Sequence, residues 1–150
     1  MADLRRLCVD AGFARVETFI ASGNVVFESR YEPAHVKSGL EAQLLAHYGR
    51  PVGVIVRTAS EMTEIVKANP FPDTDPKRTY VVFLNELAAA DALARASGRS
   101  GETMLLGKRE IFVHYPDGMG QSKLRIPAAK TGTARKMSTV AKLAELAAKP

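Results

Sequence analysis

A chain of 150 residues, 46% apolar and 25% charged, can bury one ordinary core or two small ones, and its composition excludes a disordered chain. No apolar run approaches the roughly 20 residues that cross a bilayer, and the opening Met-Ala-Asp-Leu-Arg-Arg carries no secretory pattern. The single cysteine, Cys8, excludes an internal disulfide and fits a reducing cytoplasm, while the net charge of +5 is unevenly spread.

Leu4, Leu7, Cys8 and Ala11 share one face of a short predicted helix that stops at Gly12. Cys8 lies on that apolar face and reads as a small core residue. Residues 13–20 and 25–28 then read as the arms of a hairpin around Ser22-Gly23-Asn24, whose residue types tolerate the positive φ of such turns. Pro33 suits the first turn of a second helix, along which Val36, Leu40, Leu44 and Tyr48 repeat at four-residue spacing before Gly49. Residues 52–56 are β-branched and predict a strand. Thr58 and Glu61 form a capping box for a third helix that buries Met62, Ile65 and Val66 and breaks at Asn69-Pro70-Phe71-Pro72.

The uninterrupted apolar run at 80–84 predicts a strand covered on both faces. An alanine-rich helix is expected over 88–96, then a second hairpin, 103–106 and 110–115, around Gly107-Lys108-Arg109. The last predicted helix spans 140–148, with Ser138 as its N-cap. The expected core includes Val36, Leu40, Leu44, Ile55, Val81, Phe83, Ile111 and Val113. In order, residues 2–56 read α-β-β-α-β and residues 79–148 read β-α-β-β followed by a helix. The predicted fold is α+β, two ferredoxin-like halves built on the split β-α-β pattern, the first lacking its opening strand. The halves are expected at 1–68 and 79–150, with 69–78 as the link.

The positive excess lies at one end. Residues 118–150 hold seven basic groups and the single acid Glu145, a net +6, whereas the remaining residues net −1. Within this segment Gly118, Gly120, Ser122, Lys123, Arg135, Lys136, Ser138 and Thr139 form a candidate anion site, together with Thr133. Glycines admit backbone amides to an anion, and cations and hydroxyls add charge-assisted hydrogen bonds. The plainer account is a turn after the hairpin and polar groups that cap a helix. The Gly-Met-Gly-Gln-Ser-Lys run has the wrong order and spacing for a nucleotide triphosphatase loop. His35, His47 and His114 lack ligand spacing, so no metal is expected. His114 could act as a general base but reads as structural, and Asp73 and Asp75 as solvated loop residues.

Several blocks together resemble one family. Thr18-Phe19-Ile20-Ala21-Ser22-Gly23-Asn24-Val25-Val26-Phe27, Val56-Arg57-Thr58, Asn69-Pro70-Phe71, Tyr115-Pro116-Asp117-Gly118, Ser122-Lys123-Leu124 and Thr133-Ala134-Arg135 follow the order of the domain-of-unknown-function 1697 family. The resemblance implies a bacterial, cytoplasmic α/β protein and supplies no catalytic residue, substrate or cofactor. Lys136 and Ser138 stand where members usually carry asparagine, which puts any ligand-reading role of Lys136 in doubt. The resemblance also implies that an opening strand and a glycine-rich Arg-Gly-Ile-Asn-Val-Gly-Gly turn precede the equivalent of Met1, so that Met1 is not the natural start.

Three function classes follow. The first is a binding module for a phosphate-bearing small molecule or nucleic acid, acting through the basic segment without cofactor or membrane. No aromatic residue lies in 118–150, which favours phosphate contact over base stacking. The second is an enzyme acting on a small anionic metabolite, with Lys123 or Arg135 as the clamp and no convincing acid–base pair. The third is a structural protein without ligand. Nothing in the sequence speaks to oligomeric state.

Overall fold

The computed structural model describes residues 2–19, 23–87 and 89–148 and is of mixed α+β type, with one two-stranded and one four-stranded sheet. The chain divides into two compact units, Met1–Glu61 with Glu145–Pro150, and Met62–Ala144.

In the first unit α1 (Ala2–Asp10) ends as expected at Gly12, where φ is +92°. There the amides of Ala11, Gly12 and Phe13 fold back onto the carbonyls of Leu7, Val9 and Cys8, satisfying acceptors that the helix itself leaves open. β1 (Ala14–Phe19) and β2 (Asn24–Glu28) pair antiparallel. Their register slips between Ala14 and Glu17, beside the left-handed Arg15 (φ +51°). Gly23 has a φ of +87°, and Nδ2 of the buried Asn24 donates to the Phe19 carbonyl across the hairpin end; Ser22 lies outside the described residues. α2 (Pro33–Tyr48) begins on its proline, turns Val36, Leu40 and Leu44 inward, and closes on Gly49 with a bond from that amide to the Leu45 carbonyl. Tyr48, the fourth residue of the expected stripe, is exposed. The core gathers Cys8, Phe13, Val16, Val36 and Leu40, with Val25, Phe27, Val54 and Val56 against it and the Phe13 and Phe27 rings stacked at 4.2 Å.

The strand expected at 52–56 does not form. Among the described residues no strand pairs with it, and a β-branched run needs a partner for its amides before its propensity counts. The Val54 amide instead donates to Oε2 of Glu41, itself 2.8 Å from Nζ of Lys37. Val54 and Val56 pack against the core while only half-buried, and Ile55, expected to be buried, is half-buried as well. The capping box is present in full. The Thr58 amide donates to Oε1 of Glu61 at 2.8 Å, and the Glu61 amide to Oγ1 of Thr58 at 3.1 Å. It opens α3 (Ala59–Lys67), whose Met62 and Ile65 are buried.

The second unit is built around β3 (Thr79–Phe83), buried at every position. Its neighbours are β5 (Glu110–His114) and β6 (Thr133–Lys136), and β4 (Thr103–Leu106) lies outside β5. The order is β4-β5-β3-β6, antiparallel throughout. Val82, Leu84, Ile111 and Val113 form the core of one face, covered by Leu93, Met104, Leu106, Leu124 and Ile126.

Three expectations change here. Over 89–96 the described residues form turns rather than a helix, linked by i to i+3 bonds such as Ala92 to Ala89 and Ala94 to Asp91; Ala88 lies outside the described residues. A short alanine-rich segment nucleates poorly, and Gly98 and Gly101, both at positive φ, stop it at once. β6 was absent from the predicted elements, because Thr-Ala-Arg-Lys has no apolar alternation. α4 (Met137–Ala147) follows β6 directly and starts earlier than expected. Ser138 therefore sits inside its first turn instead of capping it, and its amide donates to the Pro76 carbonyl.

Candidate functional site

The eight residues of the expected anion site fall on two parts of the second unit. Gly118 (φ +85°) opens a short 3₁₀ turn, Met119–Gln121, which contains Gly120 and ends at Ser122. The Ser122 hydroxyl donates to Oε2 of Glu102 at 2.9 Å and accepts the Leu124 amide at 3.0 Å. Glu102 is 6% exposed, and its Oε1 takes the Ser100 amide. That amide first, and the Ser122 hydroxyl after burial's opposing effect, hold the carboxyl below the usual carboxylate range. Burial, and then the Glu102 charge, push the Tyr115 phenol up. The Ser122 hydroxyl is thus engaged by an anion already in the chain. Lys123 is exposed, and its carbonyl rests so closely on Gly98 that a Cβ there would overlap it.

The second part is the β6–α4 junction. Arg135 and Lys136 stand opposite Val81 and Tyr80 of β3. Arg135 is half-buried, with Nη1 on the Ala134 carbonyl, and burial lowers its pKa. Lys136 is exposed; Ser138 and Thr139 are half-buried in the first turn of α4, where the Ser138 amide is spent on Pro76. Side-chain cations therefore remain at the surface on both parts, while the hydroxyl and amide expected to join them at Ser122 and Ser138 serve the fold.

A different group of polar residues surrounds an open cleft of about 300 Å³ lined by Thr74, Asp75, Arg78, His114 and Pro116. Of these, His114 stands opposite Thr79 across β5 and β3. Thr79 is fully buried, and its hydroxyl lies 2.9 Å from Oγ1 of Thr74 and 3.3 Å from Nδ1 of His114. Oγ1 of Thr74 donates to the Phe71 carbonyl at 2.7 Å, and the Phe71 ring lies 5.9 Å from that of His114. Arg78 reaches the Pro116 carbonyl through Nη1, and Oδ1 of Asp75 accepts the Lys77 amide. In the sequence His114 and Asp75 read singly, as a structural strand histidine and a solvated loop residue, and nothing local joins them. Residues 69–78 looked like a link and His114 like a lone strand histidine, and only the β3–β5 register brings Thr79 to it. Among the described residues no three His, Cys, Asp or Glu side chains come close enough to hold a metal ion, and no helix is long and apolar enough to cross a membrane.

Comparison with known proteins agrees on the class. Residues 1–112 match the family described as "Protein of unknown function (DUF1697)", and the chain belongs to it. Among solved structures it is similar to a conserved bacterial protein, SP0830, from Streptococcus pneumoniae. That likeness has a TM-score of 0.81 at 24% identity and covers 99% of this chain and 89% of the other, which establishes a shared fold. No curated protein matches.

Proposed function

We propose that this protein is a cytoplasmic binding module for a phosphate-bearing polyanion, engaged by the basic segment 118–150. The observation that carries the reading is the display of charge. Lys123, Arg125, Lys130, Lys136 and Lys142 are all exposed, and Glu145 is the only acid in the segment. Exposed lysines act as mobile point charges and suit a phosphate backbone better than a single tightly coordinated phosphate. The engagement of Ser122 and Ser138 within the fold argues the same way, since a small-anion nest needs those donors. Without aromatic residues in the segment, the partner is held by its backbone and not by stacked bases.

As the frame for this surface we read the second unit as ferredoxin-like. The order β4-β5-β3-β6 fits the split β-α-β pattern, with turns at 89–96 and 3₁₀ segments where helices would connect the strands.

The test is fluorescence anisotropy with a labelled mixed-sequence DNA duplex. Binding should persist when the sequence is scrambled and weaken when Lys123 and Lys136 are both replaced by Gln. Equal affinity of that variant and the parent would remove the basic segment from the account.

A further inference from the structure

The hydrogen bonds beneath the cleft determine where the proton of His114 sits. A carbonyl cannot donate, so the Thr74 hydroxyl spends its proton on Phe71. The contact between the two threonines then requires Thr79 to donate to Thr74. Thr79 has one proton, and its oxygen can meet His114 only as an acceptor, so Nδ1 of His114 carries hydrogen. Full burial of Thr79 leaves it no water with which to exchange these roles. Neutral His114 is therefore an Nδ1–H imidazole whose lone pair is on Nε2, and its ring lines the cleft.

We propose that this cleft is a binding site for a small hydroxy acid of the sugar-acid class, with its carboxylate on Arg78 and a hydroxyl donating to Nε2 of His114. Charge and hydrogen-bond character select this class. The lining offers one cation, Arg78, one carboxylate, Asp75, and the imidazole of His114, an acceptor at Nε2 in its neutral form. A ligand with a single negative charge matches Arg78, whereas a dianionic phosphate would face Asp75. The acceptors Nε2 and the Asp75 carboxylate require donors on the ligand, which hydroxyl groups beside a carboxylate supply. A volume of about 300 Å³ is at the small end for ligand sites and suits a single compact acid. None of the lining residues belongs to the basic segment, whose nearest tie to the cleft is the bond from the Ser138 amide to the Pro76 carbonyl.

Imidazole ¹⁵N NMR on the full chain tests the proposal in two steps. Above neutral pH the His114 spectrum should be that of the Nδ1–H form, and Thr79→Val, which removes the acceptor at little change in volume, should release that preference. Thr79→Ser should keep it. Titration with sodium gluconate should then shift Nε2 along a saturating curve, with acetate and xylitol, each lacking half of the pattern, at least about tenfold weaker. Arg78→Gln should abolish the gluconate response while leaving the tautomer in place. An Nε2–H form in the unaltered protein would overturn the proton assignment. Acetate, xylitol or inorganic phosphate binding as well as gluconate, or no saturation with gluconate, would overturn the ligand class.

Discussion

At the scale of single residues, burial and hydrogen bonding decide what each group can do. Cys8 is fully buried, and desolvation raises its thiol pKa to about 11. The thiolate is the reactive form, so an aromatic disulfide reagent in slight alkali should label Cys8 only as fast as the first unit opens. Denaturant should make labelling immediate; rapid labelling of the folded protein would contradict the buried placement. Glu102 has the opposite character, because its native carboxyl is held below its ordinary value by the Ser100 amide and the Ser122 hydroxyl. Such a group stabilises the fold above the unfolded carboxyl pKa of about 4.3 and loses that contribution as pH falls through the lower native value. Urea titrations from neutral to acid pH should therefore show a shallower acid loss in Glu102→Gln than in the parent protein. An identical acid limb in both would mean the carboxylate contributes nothing through this linkage.

At the scale of elements, local signals and packing divide the outcome between them. The reciprocal bonds of Thr58 and Glu61 lie at the exposed start of α3, and Thr58→Ala should cost about 1 kcal/mol in chemical denaturation. Leu40→Ala, in the middle of α2 and 3% exposed, should cost about 2–5 kcal/mol by emptying part of the first unit's core. A loss smaller for Leu40 than for Thr58 would contradict the assigned core. Both features were legible in the sequence, since a capping box and an i, i+4 stripe are written within a few residues. So were the two hairpins, marked by glycine turns between apolar runs. The misses share a different cause. Residues 52–56 have strand propensity but no partner in register, and a strand is a property of a pair. The turns at 89–96 have helix propensity but too little length and two stopping glycines. β6 carries no alternation of its own and is a strand because β3 presents an edge to it. The candidate site divides in the same way. The excess of charge was countable from residues 118–150, whereas the cleft at His114 depends on Thr79 lying opposite it, a register that no local spacing announces.

At the scale of the whole molecule, the governing quantity is the sign and placement of charge. The residues outside 118–150 net −1, so the whole net charge of +5 comes from that segment, whose exposed cations form the proposed binding surface. Binding through such a surface releases counterions from a phosphate backbone, so affinity falls linearly on a logarithmic salt scale, by about 0.9 in slope for each phosphate neutralised. The most direct measurement is the duplex-DNA dissociation constant at a series of salt concentrations, for the parent protein and for Lys123→Gln with Lys136→Gln. The account predicts a steep log-linear dependence in the parent and a slope smaller by about 2 in the variant, whatever the DNA sequence. An affinity insensitive to salt, or a slope unchanged by loss of the two lysines, would contradict it.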